Sequence, residues 1–231
     1  MLLQAKNIRK SFIKDKLEIP VIRGIDLSIA EGERVALTGA SGVGKSTLLH
    51  ILGTLEKPSS GELIWGPTGQ NILKLSERGI ADFRNRALGF IFQFHYLLPE
   101  FNALENVMMP GLIAGEPRPG LEKNARELLE FVGLGHRLTH RPAELSGGEQ
   151  QRVAIARSLI LKPKLILADE LTGNLDSANS QNVMELLLGL NEQTGVGILL
   201  VTHDAHIASQ MHRIITVKDG LILSEERGNS A

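Results

Sequence analysis

The chain has 231 residues, about one and a half ordinary domain lengths, which reads as one domain carrying an inserted subdomain. Its 25 Lys and Arg against 26 Asp and Glu leave a net charge of −1, without the basic excess of a nucleic-acid binder, so no nucleic-acid partner is expected. Cysteine is absent, which excludes disulfides, thiolate metal sites and a cysteine nucleophile.

Leu2–Ile8 and Val21–Ile29 alternate apolar and polar residues and read as strands. Arg34–Thr38 is a short apolar strand, followed by a glycine-rich turn and a helix over Lys45–Leu55. Gly61–Trp65 and Leu88–Phe92 read as strands. From about Phe94 to Leu161 the character changes. Leu104–Ile113, Leu121–Val132 and Ser146–Leu161 have helical spacing, and Pro110, Pro117, Pro119 and Pro142 punctuate them. Strands return at Leu165–Ala168, Ile198–Thr202 and Ile214–Val217, with helices predicted over Ser177–Glu192 and Ala205–Gln210 between them. The pattern is a βαβ sheet with a helical insertion. No apolar run approaches the roughly 20 residues of a spanning helix. Met1–Phe12 carries Lys6, Arg9 and Lys10 with no apolar stretch behind them, unlike a signal peptide. A cytosolic chain is expected, with any membrane spanning left to other chains. Little room is expected after Leu223 for a C-terminal regulatory domain.

Gly39-Ala40-Ser41-Gly42-Val43-Gly44-Lys45-Ser46-Thr47 matches G-x-x-x-x-G-K-[ST] between a strand and a helix. The glycines let several backbone N–H groups converge on one anion, and the helix adds its positive end. Lys45 would reach the β- and γ-phosphates of ATP and the Ser46 hydroxyl a Mg²⁺ ion.

Leu145-Ser146-Gly147-Gly148-Glu149 has the form of a capping box, Ser146 to Glu149. Two glycines in a first helical turn each cost about 1 kcal/mol relative to Ala. They make sense if an anion must approach the backbone there. One nucleotide per chain but two phosphate-binding helix starts points to a head-to-tail dimer, with ATP between one phosphate loop and the other chain's Ser146–Glu149. Leu165–Glu170 is an apolar strand ending in two carboxylates. Mg²⁺ would neutralise Asp169, leaving Glu170 to orient or deprotonate the attacking water. A salt-bridged strand end is the plainer alternative.

With these motifs the chain resembles the ATP-binding cassette family, whose signature is LSGGQ, with Glu149 where Gln is commonest. The resemblance implies an α/β P-loop fold: a RecA-like core with an antiparallel β subdomain (residues 1–93 and 162–231) and an inserted α-helical signature subdomain (94–161). It makes Gln93 a metal- and water-contacting residue, His203 the γ-phosphate switch, Asn174-Leu175-Asp176 the interface loop and Phe12 an adenine platform. Plainer readings are a loop amide for Gln93 and a core aromatic for Phe12. Arg152 and Arg157 read as a solvated helix face, and Trp65 as packing. His203, His206 and His212 lack a companion carboxylate cluster for a metal site. Leu171 replaces the family's proline after the Asp-Glu pair, which frees φ and restores an N–H.

The tract Phe92–Val107 resembles the lipoprotein-releasing subfamily. That implies a transport-coupled ATPase, a homodimer of ATPase subunits, and integral permease partners of the LolC/LolE kind. It places the chain peripherally on the cytoplasmic face of the bacterial inner membrane. The apolar stretch Phe94–Phe101 would suit a partner helix, or core packing. Rival readings are a MacB- or FtsE-type ATPase, a soluble cassette ATPase of DNA machines and a P-loop nucleotide kinase. The signature Ser146–Glu149 speaks against the kinase, and no sustained heptads support the DNA machine.

Overall fold

Five short apolar segments form the centre of the molecule because each can bury both faces in a parallel sheet. The computed structural model describes residues 1–171, 173 and 177–228. In it, β3 (Arg34–Thr38), β6 (Leu88–Phe92), β7 (Leu165–Asp169), β8 (Gly197–Val201) and β9 (Arg213–Lys218) lie side by side, with β10 (Leu221–Arg227) closing one edge antiparallel to β9. The order across the sheet is β10-β9-β3-β8-β7-β6. A second, antiparallel sheet has the order β2-β1-β4-β5, from β1 (Leu3–Lys14), β2 (Leu17–Ile29), β4 (Ser60–Trp65) and β5 (Gln70–Asn71).

Alternation along the strands divides the core. Leu165, Leu167, Leu199 and Val201 point to one side, where they meet α1 (Lys45–Leu52) and the antiparallel sheet through Leu48, Leu52, Ile25 and Leu63. Ile166, Ala168, Ile198 and Leu200 point to the other and pack on α5 (Gly147–Leu159) and α6 (Ser177–Thr194). A third cluster joins α3 (Ala103–Ile113), α4 (Arg118–Phe131) and α5 through Val107, Met108, Leu129, Val153 and Ala156. Helix α5 therefore has two apolar faces, Ile155 and Leu159 towards the sheet and Val153, Ala156 and Ile160 towards the other helices.

The structure adds elements absent from the sequence reading. Helix α2 (Glu77–Ala87) precedes β6, and its Phe83 receives Trp65 edge-on at 4.9 Å between ring centroids. The β1–β2 hairpin runs longer than expected, to a tip at Asp15-Lys16. Pro110 lies inside α3 without ending it. Helix α7 (Ala205–Ser209) follows β8 where a helix is expected over Ala205–Gln210, capped by the Asp204 carboxylate, which accepts from the His206 and Ile207 N–H groups. Among the described residues no helix is long and apolar enough to cross a membrane.

Candidate active site

Parallel pairing brings the sequence-distant motifs to one end of the sheet. Phe92 pairs with Asp169, Asp169 with Val201, and Leu37 with Val201. The residues that follow, Gln93, Glu170, His203 and the Gly39 loop, therefore emerge together at the carboxyl ends of the strands. This is where ligands bind in open α/β sheets.

Three glycines of the loop have positive φ: 138° at Gly39, 79° at Gly42 and 99° at Gly44. A Cβ on Gly39 would fall 2.2 Å from the Val217 carbonyl oxygen, so no side chain fits there. A Cβ on Gly42 would meet nothing within 4 Å, so that bend faces open space. Gly44 caps α1 without a side-chain acceptor, and the first turn of α1 has no acidic residue. This helix start is suited to an anion. Lys45 is buried, and its Nζ donates to the Gly39 and Ala40 carbonyls at 2.9 and 2.8 Å. The ammonium is held across its own loop, at the place where phosphate oxygens would replace the carbonyls.

Ser46 Oγ donates to Asp169 Oδ1 at 3.2 Å. Burial raises the Asp169 pKa, assisted by the neighbouring Glu170 charge, against the Ser46 hydrogen bond and the fields of His50 and Lys45, which lower it. A hydroxyl and a carboxylate side by side, the latter disfavoured as a bare anion, form a hard-oxygen donor pair that fits Mg²⁺, an ion that keeps waters and substrate oxygens for its other positions.

Glu170 has φ of 46°, in the left-handed region. A non-glycine residue held there stores about 1–3 kcal/mol and is typical of functional turns. The conformation is fixed from both sides: the Glu170 N–H donates to Val201 O, and the Gly173 N–H donates to Glu170 O, both at 3.0 Å. Glu170 Oε1 stands 3.6 Å from Nδ1 of the exposed His203. Gln93 is half-buried, and a Cβ on Gly173 would lie 2.9 Å from its Nε2. The loop after the carboxylates thus leaves room for this amide. Leu171 is buried among Val183, Met184 and Leu187, so the residue in the proline position anchors the turn by packing. Asn174, Leu175 and Asp176 lie outside the described residues.

The capping box at Ser146–Glu149 is formed. Ser146 Oγ accepts from the Glu149 N–H, and Glu149 Oε2 accepts from the Ser146 N–H at 2.8 Å. Ser146 and Gly147 face solvent. Within one chain, no hydrogen bond or ion pair among the described residues links Ser146–Glu149 to the phosphate loop. Phe12 on β1 is 40% exposed, with Lys10 Nζ 4.8 Å from its ring centroid. It is not a core aromatic, and its ring is open to stacking.

Some residues depart from the sequence reading. Arg157 is not on a solvated face: its guanidinium donates to the His95 and Tyr96 carbonyls, both at 2.7 Å, because α5 packs against the segment leaving β6. Asn106 went unnoticed. It is fully buried on α3, where Oδ1 accepts from the Leu98 N–H and Nδ2 donates to the Leu98, Phe101 and Asn102 carbonyls. These two side chains tie down a segment whose apolar residues face outwards, Phe94 at 61% and Tyr96 at 65% exposure. Arg137 was also missed. Its Nε donates to Glu149 Oε1 at 3.1 Å. No periodicity in the sequence flags any of these contacts, which join residues across turns and between helices.

A family model described as ABC transporter matches residues 22–173. The lipoprotein-releasing system ATP-binding protein LolD of Geobacter metallireducens is 53% identical over 97% of this chain and 99% of that protein. The protein of the same name from Syntrophus aciditrophicus is 50% identical over 96% and 99%. Among solved structures, the dimeric post-hydrolysis state of the ATP-binding cassette MJ0796 bound to ADP and Pi superposes with a TM-score of 0.90 at 38% identity, covering 98% of both chains.

Proposed function

Since the chain belongs to the ABC transporter family of ATP-binding proteins, we propose that it hydrolyses ATP to power release of lipoproteins from the bacterial inner membrane towards the outer membrane. The observation that carries the chemistry is the convergence of the Gly39–Thr47 loop, the Ser46–Asp169 pair and Glu170 at one end of one sheet. The near-full-length identity with two LolD proteins favours lipoproteins as the cargo.

The loop from Gly39 to Thr47 wraps the phosphates with backbone N–H groups, and Lys45 exchanges its two carbonyl partners for phosphate oxygens. Phe12 stacks on adenine. Ser46, Asp169 and Gln93 would hold Mg²⁺, which supplies charge neutralisation at the phosphates when bound. Glu170 aligns the attacking water and accepts its proton as the water oxygen bonds to the γ-phosphorus. The bond to the β–γ bridging oxygen breaks, and ADP and phosphate leave. His203 contacts the γ-phosphate. Ser146–Glu149 of a second copy, with Asp176 at the interface, completes the site, so two subunits close on two nucleotides and separate after hydrolysis. Residues 94–161 transmit this motion from the core formed by 1–93 and 162–231.

The receiver is a pair of integral permeases of the LolC/LolE kind, with this chain bound peripherally at the cytoplasmic face. Phe94, Tyr96, Leu98 and Phe101 offer the docking surface, since large exposed apolar groups held on a fixed strap mark interaction sites. The test is to solubilise membranes of the source bacterium, capture this chain and identify what accompanies it. A pair of permeases with large external domains and bound lipoprotein is expected. A single division-type membrane protein with a hydrolase activator would overturn the lipoprotein reading, and the absence of any membrane partner would overturn the transport role.

A further inference from the structure

The signature carries a carboxylate where it should receive an anion. Glu149 is the third residue of α5, and its acid is held below the usual carboxylate range, first by the Ser146 N–H and further by the Ser146 hydroxyl and Arg137, against the opposing effect of burial. It is therefore ionised at neutral pH. In the head-to-tail reading above, on which this inference rests, the same helix start meets the triphosphate bound to the other subunit. An uncompensated negative charge in that turn would oppose the approach of ATP.

The structure contains the compensation. Glu149 uses Oε2 to accept from the Ser146 N–H at 2.8 Å and Oε1 to accept from Arg137 Nε at 3.1 Å. Its side chain is 15% exposed and that of Arg137 35%. Arg137 is itself held in place. It ends a one-turn helix at Gly135–Arg137, its carbonyl accepts from the His140 N–H, and its Nη1 lies 3.0 Å from His140 Nε2. The strap beyond it is pinned to the start of α3, where the Ala103 and Leu104 N–H groups donate to the His140 and Leu138 carbonyls. The guanidinium is thus delivered to the signature by the helical layer and turned on the carboxylate.

We propose that Arg137 is a positioning residue for ATP hydrolysis: it neutralises Glu149 and fixes the carboxylate between its own guanidinium and the Ser146 N–H, so that a glutamate-bearing signature can accept the γ-phosphate of the nucleotide on the opposing subunit. Arg137 touches no nucleotide in this scheme. It acts through Glu149, and its importance is conditional on the negative charge there.

That conditionality gives the test. In the Glu170→Gln background, ATP-induced dimerisation is measured by sedimentation for the parent, Arg137→Gln, Glu149→Gln and the double variant. Arg137→Gln should raise the protein concentration for half-dimerisation at least tenfold when Glu149 is present and less than threefold when it is Gln. Arg137→Lys should recover most of the loss, and binding of a fluorescent ATP analogue to the monomer should stay within twofold throughout. Arg137→Met replaces Arg137→Gln in the same cycle should the latter not fold. An equal loss in both backgrounds would show that Arg137 supports the fold rather than the charge, and no loss in either would show that the carboxylate needs no neutralisation. Either result overturns the proposal. Failure of the parent Glu170→Gln chain to dimerise with ATP would instead remove the head-to-tail reading, and this inference with it.

Discussion

Asp169, the proposed Mg²⁺ ligand, shows how a group suited to binding can weaken the protein that carries it. Burial raises its pKa, so the folded chain holds the Asp169 proton more tightly than the unfolded chain does. The sign follows: the favourable contribution of the neutral acid is complete below the ordinary carboxylate pKa and is lost as pH rises through the raised one. At neutral pH without ligands the site carries a disfavoured charge. Asp169→Asn should therefore raise the melting temperature of the nucleotide-free chain at pH 7 while abolishing Mg²⁺-dependent hydrolysis, and its stabilisation relative to the parent should shrink as pH falls. Thermal melts across pH, with a phosphate-release assay, check both halves. An unchanged or lower melting temperature at pH 7 would contradict the burial argument.

Elements show which parts of the molecule were legible in the sequence. Strands β3, β6, β7 and β8 were visible because a continuous apolar run between glycines and polar residues has few other fates. Helix α2 was not: Ile80, Phe83 and Ala87 repeat at helical spacing, but the stripe is only these few residues among many charged ones, and none is fully buried. Strand β10 was missed because it is an edge strand whose Leu221 and Leu223 stay exposed, which blurs its alternation. The phosphate loop, the signature and the carboxylate pair could be named from local spacing alone. Arg157 and Asn106 could not, since their partners are backbone carbonyls in the segment after β6, and backbone partners leave no mark in sequence. Asn106 supports the strap that presents Phe94–Phe101. Replacing it with Leu would take the acceptor from the Leu98 N–H and the side-chain donor from the Phe101 carbonyl, while the Leu98 and Asn102 carbonyls keep the Phe101 and Asn106 N–H groups. A loss of about 1–3 kcal/mol is expected in urea unfolding. Faster amide exchange confined to residues 97–103 should accompany it, and unaltered exchange there would show that the strap is held by other means.

At the scale of the whole molecule, the two proposed half-sites of one chain do not meet. The phosphate loop, Asp169 and Glu170 lie at the ends of the parallel strands, while Ser146 and Gly147 open to solvent from the helical layer. Helix α5 links the two through its opposite apolar faces, so movement of the signature bears directly on the sheet carrying Asp169 and, through Arg157, on the segment offered to the membrane partner. ATP closing two copies would in this way be felt at Phe94 and Tyr96. The most direct measurement is the oligomeric state of Glu170→Gln with and without ATP, followed by sedimentation over a wide range of protein concentration. The chain should be monomeric alone and with ADP, and dimeric with ATP, holding two nucleotides per dimer. A variant that binds ATP yet remains monomeric at every concentration would contradict the two-chain site.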